Sequence, residues 1–135
     1  ANTYTLERSY GSRIMVRGAG FLLNNEMIDF NWFPGETTRG GAIGTEPNTI
    51  RPGKRMLSSQ TPAIVARGGK VFLVTGSPGS RTIINTTLNI IVNTVDFGMD
   101  ARQAVDAPRL HHQWLPDDLR FEGGERPYAL EGNFS

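Results

Sequence analysis

Glu26 and Asp29 stand at the end of Leu22-Leu23-Asn24-Asn25-Glu26-Met27-Ile28-Asp29, where an apolar strand runs out into two carboxylates. Two acids so placed can hold an ammonium group through charge-assisted hydrogen bonds, and the same pattern also fits a plain surface turn. In Lys54-Arg55-Met56-Leu57-Ser58-Ser59-Gln60-Thr61-Pro62, two cations precede two hydroxyls. That set suits a carboxylate, and equally a solvated loop with a serine cap or turn. Gly76-Ser77-Pro78-Gly79-Ser80 lies between the apolar strand Lys70–Val74 and a helical pattern beginning near Arg81. A small-residue loop opening a helix aims backbone N–H groups at one spot, which can hold a phosphate, a carboxylate or an acyl-transfer oxyanion. A tight turn is the alternative. A nucleotide loop would end in Gly-Lys-Ser/Thr, and here Arg81 follows Ser80.

His111 and His112 are adjacent, so on a strand they face opposite sides and do not share one metal. One is expected to be packed and the other to lie at the surface or be hydrogen-bonded. The chain has no cysteine, which removes thiolate ligands, disulfides and a cysteine nucleophile. No metal site and no cofactor are expected. Asn85-Thr86-Thr87 matches a glycosylation sequon but falls inside a predicted helix, and reads as chance.

The elements that must position these groups follow from pattern and punctuation. Asn2–Leu6 reads as a strand, Ile14–Val16 as a short second one, and Gly20–Leu23 as a buried third. Residues 31–55 carry four prolines and glycines in each half and are too long for an ordinary connection; such loops are functional or disordered. Pro62–Arg67, then Gly68-Gly69, then Lys70–Val74 predicts a hairpin, because two glycines accept the positive φ of a primed turn. Ile84, Leu88, Ile91, Val92 and Val95 recur at helical spacing, with Gly98 as a C′ residue. Asp100 caps a second helix to about Asp106, stopped by Pro108; Leu110–Trp114 and Leu119–Glu122 read as closing strands. Strands, then helices, then strands predict an α+β or layered sheet-and-helix domain rather than a doubly wound one.

The 135 residues suffice for one domain with a core, and 38% hydrophobic against 20% charged residues is a globular balance. A net charge of +1 gives no electrostatic case for nucleic acid or an anionic membrane. No apolar run is long enough to span a bilayer, and the N-terminus is not a signal peptide. The chain opens at Ala1 without Met and closes in a polar tail, so it is read as a fragment or a processed subunit.

These blocks, with Thr3-Tyr4-Thr5-Leu6 before them and Ala107-Pro108-Arg109 with His111–Pro116 after, resemble in order the small subunit of the γ-glutamyltransferase (γ-glutamyltranspeptidase) family. The resemblance covers 1–122 and leaves 123–135 as a polar tail. It implies the N-terminal-nucleophile hydrolase fold, an αββα sandwich of which this chain is an incomplete portion. It implies a precursor that cleaves itself to expose a threonine, whose α-amino group is the base and whose hydroxyl attacks a γ-glutamyl amide. The acyl group then passes to water or to an amine. By the same resemblance, Thr5 supports the nucleophile, Glu26 and Asp29 hold the α-ammonium, Ser58 and Ser59 hold the α-carboxylate, and Gly79 with Ser80 forms the oxyanion hole.

Three departures bear on this. The nucleophilic Thr-Thr-His segment of the family lies upstream of where Ala1 begins, so the isolated chain is expected to be inactive. Glu7 stands where many members carry an asparagine that also contacts the α-amino group. Ser80 replaces the second glycine of a Gly-Gly pair. The implied partners are the large subunit of the same precursor, which supplies an arginine for the α-carboxylate, a glutathione-like γ-glutamyl donor, and an acceptor amine or water. The alternatives are a related acylase or capsule-processing acyltransferase, or a non-catalytic binding homologue. A periplasmic or secreted location is expected by family analogy.

Overall fold

The computed structural model describes residues 6–122, and the chain divides into two compact units, Ala1–Thr38 with Ala42–Ser58, and Arg39–Gly41 with Ser59–Ser135. Most of the expected first strand, Asn2–Thr5, lies outside the described residues.

The first unit is held by turns and side-chain-to-backbone bonds more than by sheet. Ile14–Val16 and Gly20–Leu23 do not become two strands. They meet at one antiparallel bridge, Met15 to Leu22, flanked by Val16 N–H donating to the Phe21 carbonyl at 2.9 Å and Leu23 N–H to the Ile14 carbonyl at 2.9 Å. The reason lies between them: Gly18 and Gly20 take φ of 80° and 74°, and the chain reverses too soon for a ladder to extend. Glu26–Asp29 is a 3₁₀ turn that leads into the buried Phe30. The segment expected to be a long irregular loop is ordered. Asn31 pairs with Thr49 in a parallel bridge beside a second 3₁₀ turn, Glu46–Asn48. Lys54 Nζ donates to the Pro47 carbonyl, so this cation closes the loop on itself.

The second unit contains the hairpin of β1 (Ala63–Arg67) and β2 (Lys70–Thr75), antiparallel, with an irregularity between Val65 and Ala66. Gly68 and Gly69 have φ of 58° and 75°, the double positive φ that a type I′ turn needs. Helix α1 (Ile83–Val95) follows a 3₁₀ start at Ser80–Thr82. Its C-cap is Asp96, two residues ahead of Gly98, whose φ of 66° still marks the left-handed exit. Helix α2 (Ala101–Asp106) has a capping box: Asp100 accepts from Gln103 N–H at 2.8 Å, and Gln103 Oε1 accepts from Asp100 N–H at 3.0 Å. The closing strands are shorter than their patterns predict. Leu110–His111 (β3) pairs antiparallel with Arg120–Phe121 (β4).

The buried face of α1 is not the apolar stripe. Ile83, Thr87 and Ile90 are buried, whereas Ile84 and Leu88 remain 51% and 56% exposed. Beside the buried face runs a row of asparagines at i, i+4 and i+8, which share one side of a helix. Asn85 Nδ2 donates to the His112 carbonyl at 3.1 Å. Asn89 donates to the Leu110 carbonyl at 3.1 Å and accepts from its N–H at 3.3 Å, and Asn93 donates to the Ala104 carbonyl at 3.5 Å. This ladder fastens α1 to the chain that follows it, and it commits Asn85 to packing rather than to a glycan.

Candidate functional site

The acid cluster is built by two asparagines. Asn24 Oδ1 accepts from Glu26 N–H at 3.0 Å, an Asx turn that starts the 3₁₀ segment. Within that turn Glu26 and Asp29 stand three residues apart and so share one side. Asn25 behaves as a piece of strand: Glu7 N–H donates to its Oδ1 at 3.1 Å, and its Nδ2 donates to the Glu7 carbonyl at 3.4 Å. Glu7 is thereby brought to the acid turn.

The electrostatics of this cluster are those of clustered negative charge. Glu26 is only 6% exposed, and its buried Oε1 has no hydrogen-bond partner among the described residues. Burial pushes its carboxyl above the ordinary value of 4.5, and the Asp29 charge, a hydrogen bond with Asp29 and the Glu7 charge push it the same way. Among the described residues, no Lys, Arg or His forms an ion pair with Glu7, Glu26 or Asp29. An ammonium with three donors would satisfy the orphaned oxygen and relieve the repulsion together.

Ser58 is exposed and follows Leu57, whose N–H donates to the buried Asn48 Oδ1 at 3.0 Å. Asn48 Nδ2 in turn donates to the Asp29 carbonyl at 2.7 Å. One amide thus joins the acid turn to the segment that carries Ser58. Ser59 opens the second unit half-buried, and its carbonyl accepts from the Thr61 hydroxyl at 2.9 Å.

In the second unit, Gly79 and Ser80 form the entry to α1. The Gly79 carbonyl accepts twice from Thr82, from its N–H at 3.1 Å and its Oγ1 at 2.8 Å. Carbonyl and N–H of one trans peptide point in opposite directions, so the Ser80 N–H is turned away from the helix. Gly79 has φ of 132°, and a Cβ there would collide with the Thr82 hydroxyl, so the position requires glycine. Ser80 sits at φ 54°, a left-handed conformation that a serine adopts at some cost. Thr5 lies outside the described residues.

The histidines divide as their alternation predicts. His111 is buried, with Nε2 3.0 Å from Gln113 Oε1, while His112 is exposed and pairs with Asp117 at 2.8 Å. Among the described residues no group of three His, Asp or Glu side chains is close enough to hold a metal, and no helix is long and apolar enough to cross a membrane. Sequence reading missed Asn24, Asn25, Asn48 and Thr82. Asn24-Asn25 ahead of an acid carried an Asx-turn signal, whereas Asn48 carried none, because its partners lie far away in the chain.

Residues 1–131 match the family described as Gamma-glutamyltranspeptidase. The chain is 48% identical over 131 residues to the glutathione hydrolase proenzyme of Escherichia coli (strain K12), covering 97% of this chain and 23% of that relative. It is 39% identical to the glutathione hydrolase proenzyme of Bacillus subtilis (strain 168) over 90% of its length, and spans 19% of that one. Among solved structures, a mutant Helicobacter pylori gamma-glutamyltranspeptidase superposes with a TM-score of 0.78 at 52% identity, over 89% of this chain and 64% of that one. The enzyme of Pseudomonas nitroreducens superposes with a TM-score of 0.75 at 50% identity, over 87% of this chain and 61% of that one. The fold is therefore the α+β fold of N-terminal-nucleophile hydrolases, and the chain spans under a quarter of the length of these curated relatives.

Proposed function

The chain belongs to the γ-glutamyltranspeptidase family, and from that premise we propose that it supplies the donor-binding and oxyanion-stabilising groups of a γ-glutamyltransferase or glutathione hydrolase. The observation that carries this reading is the buried Glu26 carboxyl, whose Oε1 has no hydrogen-bond partner among the described residues, beside Asp29 and under the charge of Glu7. A γ-glutamyl head carries an ammonium and a carboxylate on one carbon. Glu26 and Asp29, with Glu7, take the ammonium; Ser58 and Ser59 take the carboxylate.

In the proposed reaction a threonine upstream of Ala1 loses its hydroxyl proton to its own α-amine, and its oxygen attacks the γ-carbonyl carbon. The negative charge that forms on the carbonyl oxygen is held by backbone N–H groups at Gly79 and Ser80. The leaving amine takes the proton as the C–N bond breaks, leaving an ester. Water or an acceptor amine then attacks the ester and restores the threonine. Thr5 supports the nucleophile. The large subunit of the same precursor is the partner, glutathione-like γ-glutamyl amides are the donors, and the location is periplasmic or secreted.

The experiment is turnover by the full-length, processed protein of a γ-glutamyl anilide and of the glutaryl anilide that lacks the ammonium. Strong preference for the γ-glutamyl donor is expected. Preference for glutaryl would make the protein an acylase, and turnover of neither would make it a binding homologue.

A further inference from the structure

Asn48 is 5% exposed and uses both ends of its side-chain amide on backbone groups of other segments. Nδ2 donates to the Asp29 carbonyl at 2.7 Å and approaches Asn31 Oδ1 at 3.3 Å, while Oδ1 accepts from Leu57 N–H at 3.0 Å. Its own carbonyl accepts from Asn31 N–H at 2.8 Å, which fixes the residue carrying the clamp. We propose that Asn48 is a positioning residue that sets the distance between the acid turn at Asp29 and the segment of Ser58, and thereby the zwitterionic head group the site accepts. This rests on the donor-site reading above.

The physical case is one of spacing. Ammonium and carboxylate sit on a single carbon, so their separation is fixed by the substrate. The groups that bind them come from two loop segments with no shared sheet, and nothing in local propensity holds such segments in register. A planar amide hydrogen-bonded at both ends does so, because its donor and acceptor are separated by one rigid carbon. Misplacing a binding group by about 1 Å is enough to lose most of its benefit. The clamp grips main chain, the Asp29 carbonyl and the Leu57 N–H, rather than the Asp29 or Ser58 side chains.

The test uses the mature full-length enzyme with Asn48→Asp and Asn48→Ala. Aspartate keeps the acceptor for Leu57 but sets an oxygen against the Asp29 carbonyl, so it cuts one arm in an unchanged shape. Alanine cuts both. The expected result is a rise of about tenfold in KM for the γ-glutamyl anilide, with kcat and the glutaryl KM moving by less than about threefold. A residue that merely supports the fold would move both donors and kcat together, and that result overturns the proposal, as does an unchanged γ-glutamyl KM. If the alanine variant does not fold, the aspartate variant decides by the same criteria. Asp29→Ala run in parallel separates the two levels. Loss of donor preference there but not in the Asn48 variants sinks the clamp alone; preference retained in Asp29→Ala sinks the donor-site reading itself.

Discussion

Asn25 holds the backbone of Glu7 by both amide atoms, accepting from its N–H at 3.1 Å and donating to its carbonyl at 3.4 Å. The backbone of a residue 18 positions away is thereby held beside the acid turn, and the Glu7 charge acts on Glu26. Asn25→Ala leaves a half-buried donor and acceptor unpaired, at a cost of about 1–3 kcal/mol. A lower melting temperature is expected together with a raised KM for the γ-glutamyl donor. Unchanged values of both would show that Glu7 reaches the site without Asn25.

Glu26 gives a pH signature whose sign is set by burial. Its carboxyl titrates above 4.5, so its favourable contribution to the fold is complete below that value and is lost as pH rises through the raised value. Glu26→Gln removes the buried charge while keeping shape. The variant is expected to melt higher than the parent at neutral pH, without substrate, and the difference to vanish below about pH 4.5. A variant less stable at neutral pH would mean that the Glu26 charge is stabilised by the fold rather than penalised by burial.

The two residues of the helix entry predict opposite outcomes. Ser80→Gly relieves a left-handed serine, so stability is expected to rise by about 1 kcal/mol with kcat retained. Gly79→Ala adds a Cβ against the Thr82 hydroxyl at φ 132° and displaces the peptide that presents the Ser80 N–H. A fall in kcat of about 10²-fold is expected, with donor KM little changed. A fall in KM performance alone would move these residues out of the oxyanion hole.

The asparagine ladder makes a local prediction. Asn89→Ala breaks the reciprocal pair with Leu110, so the Leu110 amide is expected to exchange with solvent faster, while amides in β1 and β2 keep their rates. Equal acceleration throughout the second unit would show the ladder to be part of a global rather than a local linkage.

What the sequence disclosed was what nearest-neighbour chemistry controls. Gly68-Gly69 announced its hairpin turn, and Asp100 its helix, because each acts on residues within one turn of itself. The period of α1 was legible but its buried face was not: Ile84 and Leu88 look like core by hydropathy, and the packed residues are Ile83, Thr87 and Ile90. Asparagines at 85, 89 and 93 decide that rotation, by bonds to backbone that no hydrophobic pattern records. The site shows the same division. Glu26 and Asp29 were legible as a pair from their spacing, whereas Glu7 reaches them through Asn25, and the order of residues 31–55 rests on Asn31 and Asn48.

The most direct measurement is donor discrimination in Asp29→Asn, made in the full-length processed protein. Asparagine keeps the size of the side chain and removes its charge, which weakens the attraction for an ammonium and also relieves the repulsion on Glu26. The ratio of kcat/KM for γ-glutamyl over glutaryl anilide is expected to fall by about 10²-fold, with the glutaryl value little changed. An unchanged ratio would contradict the account, since the acid cluster would then have no part in recognising the donor.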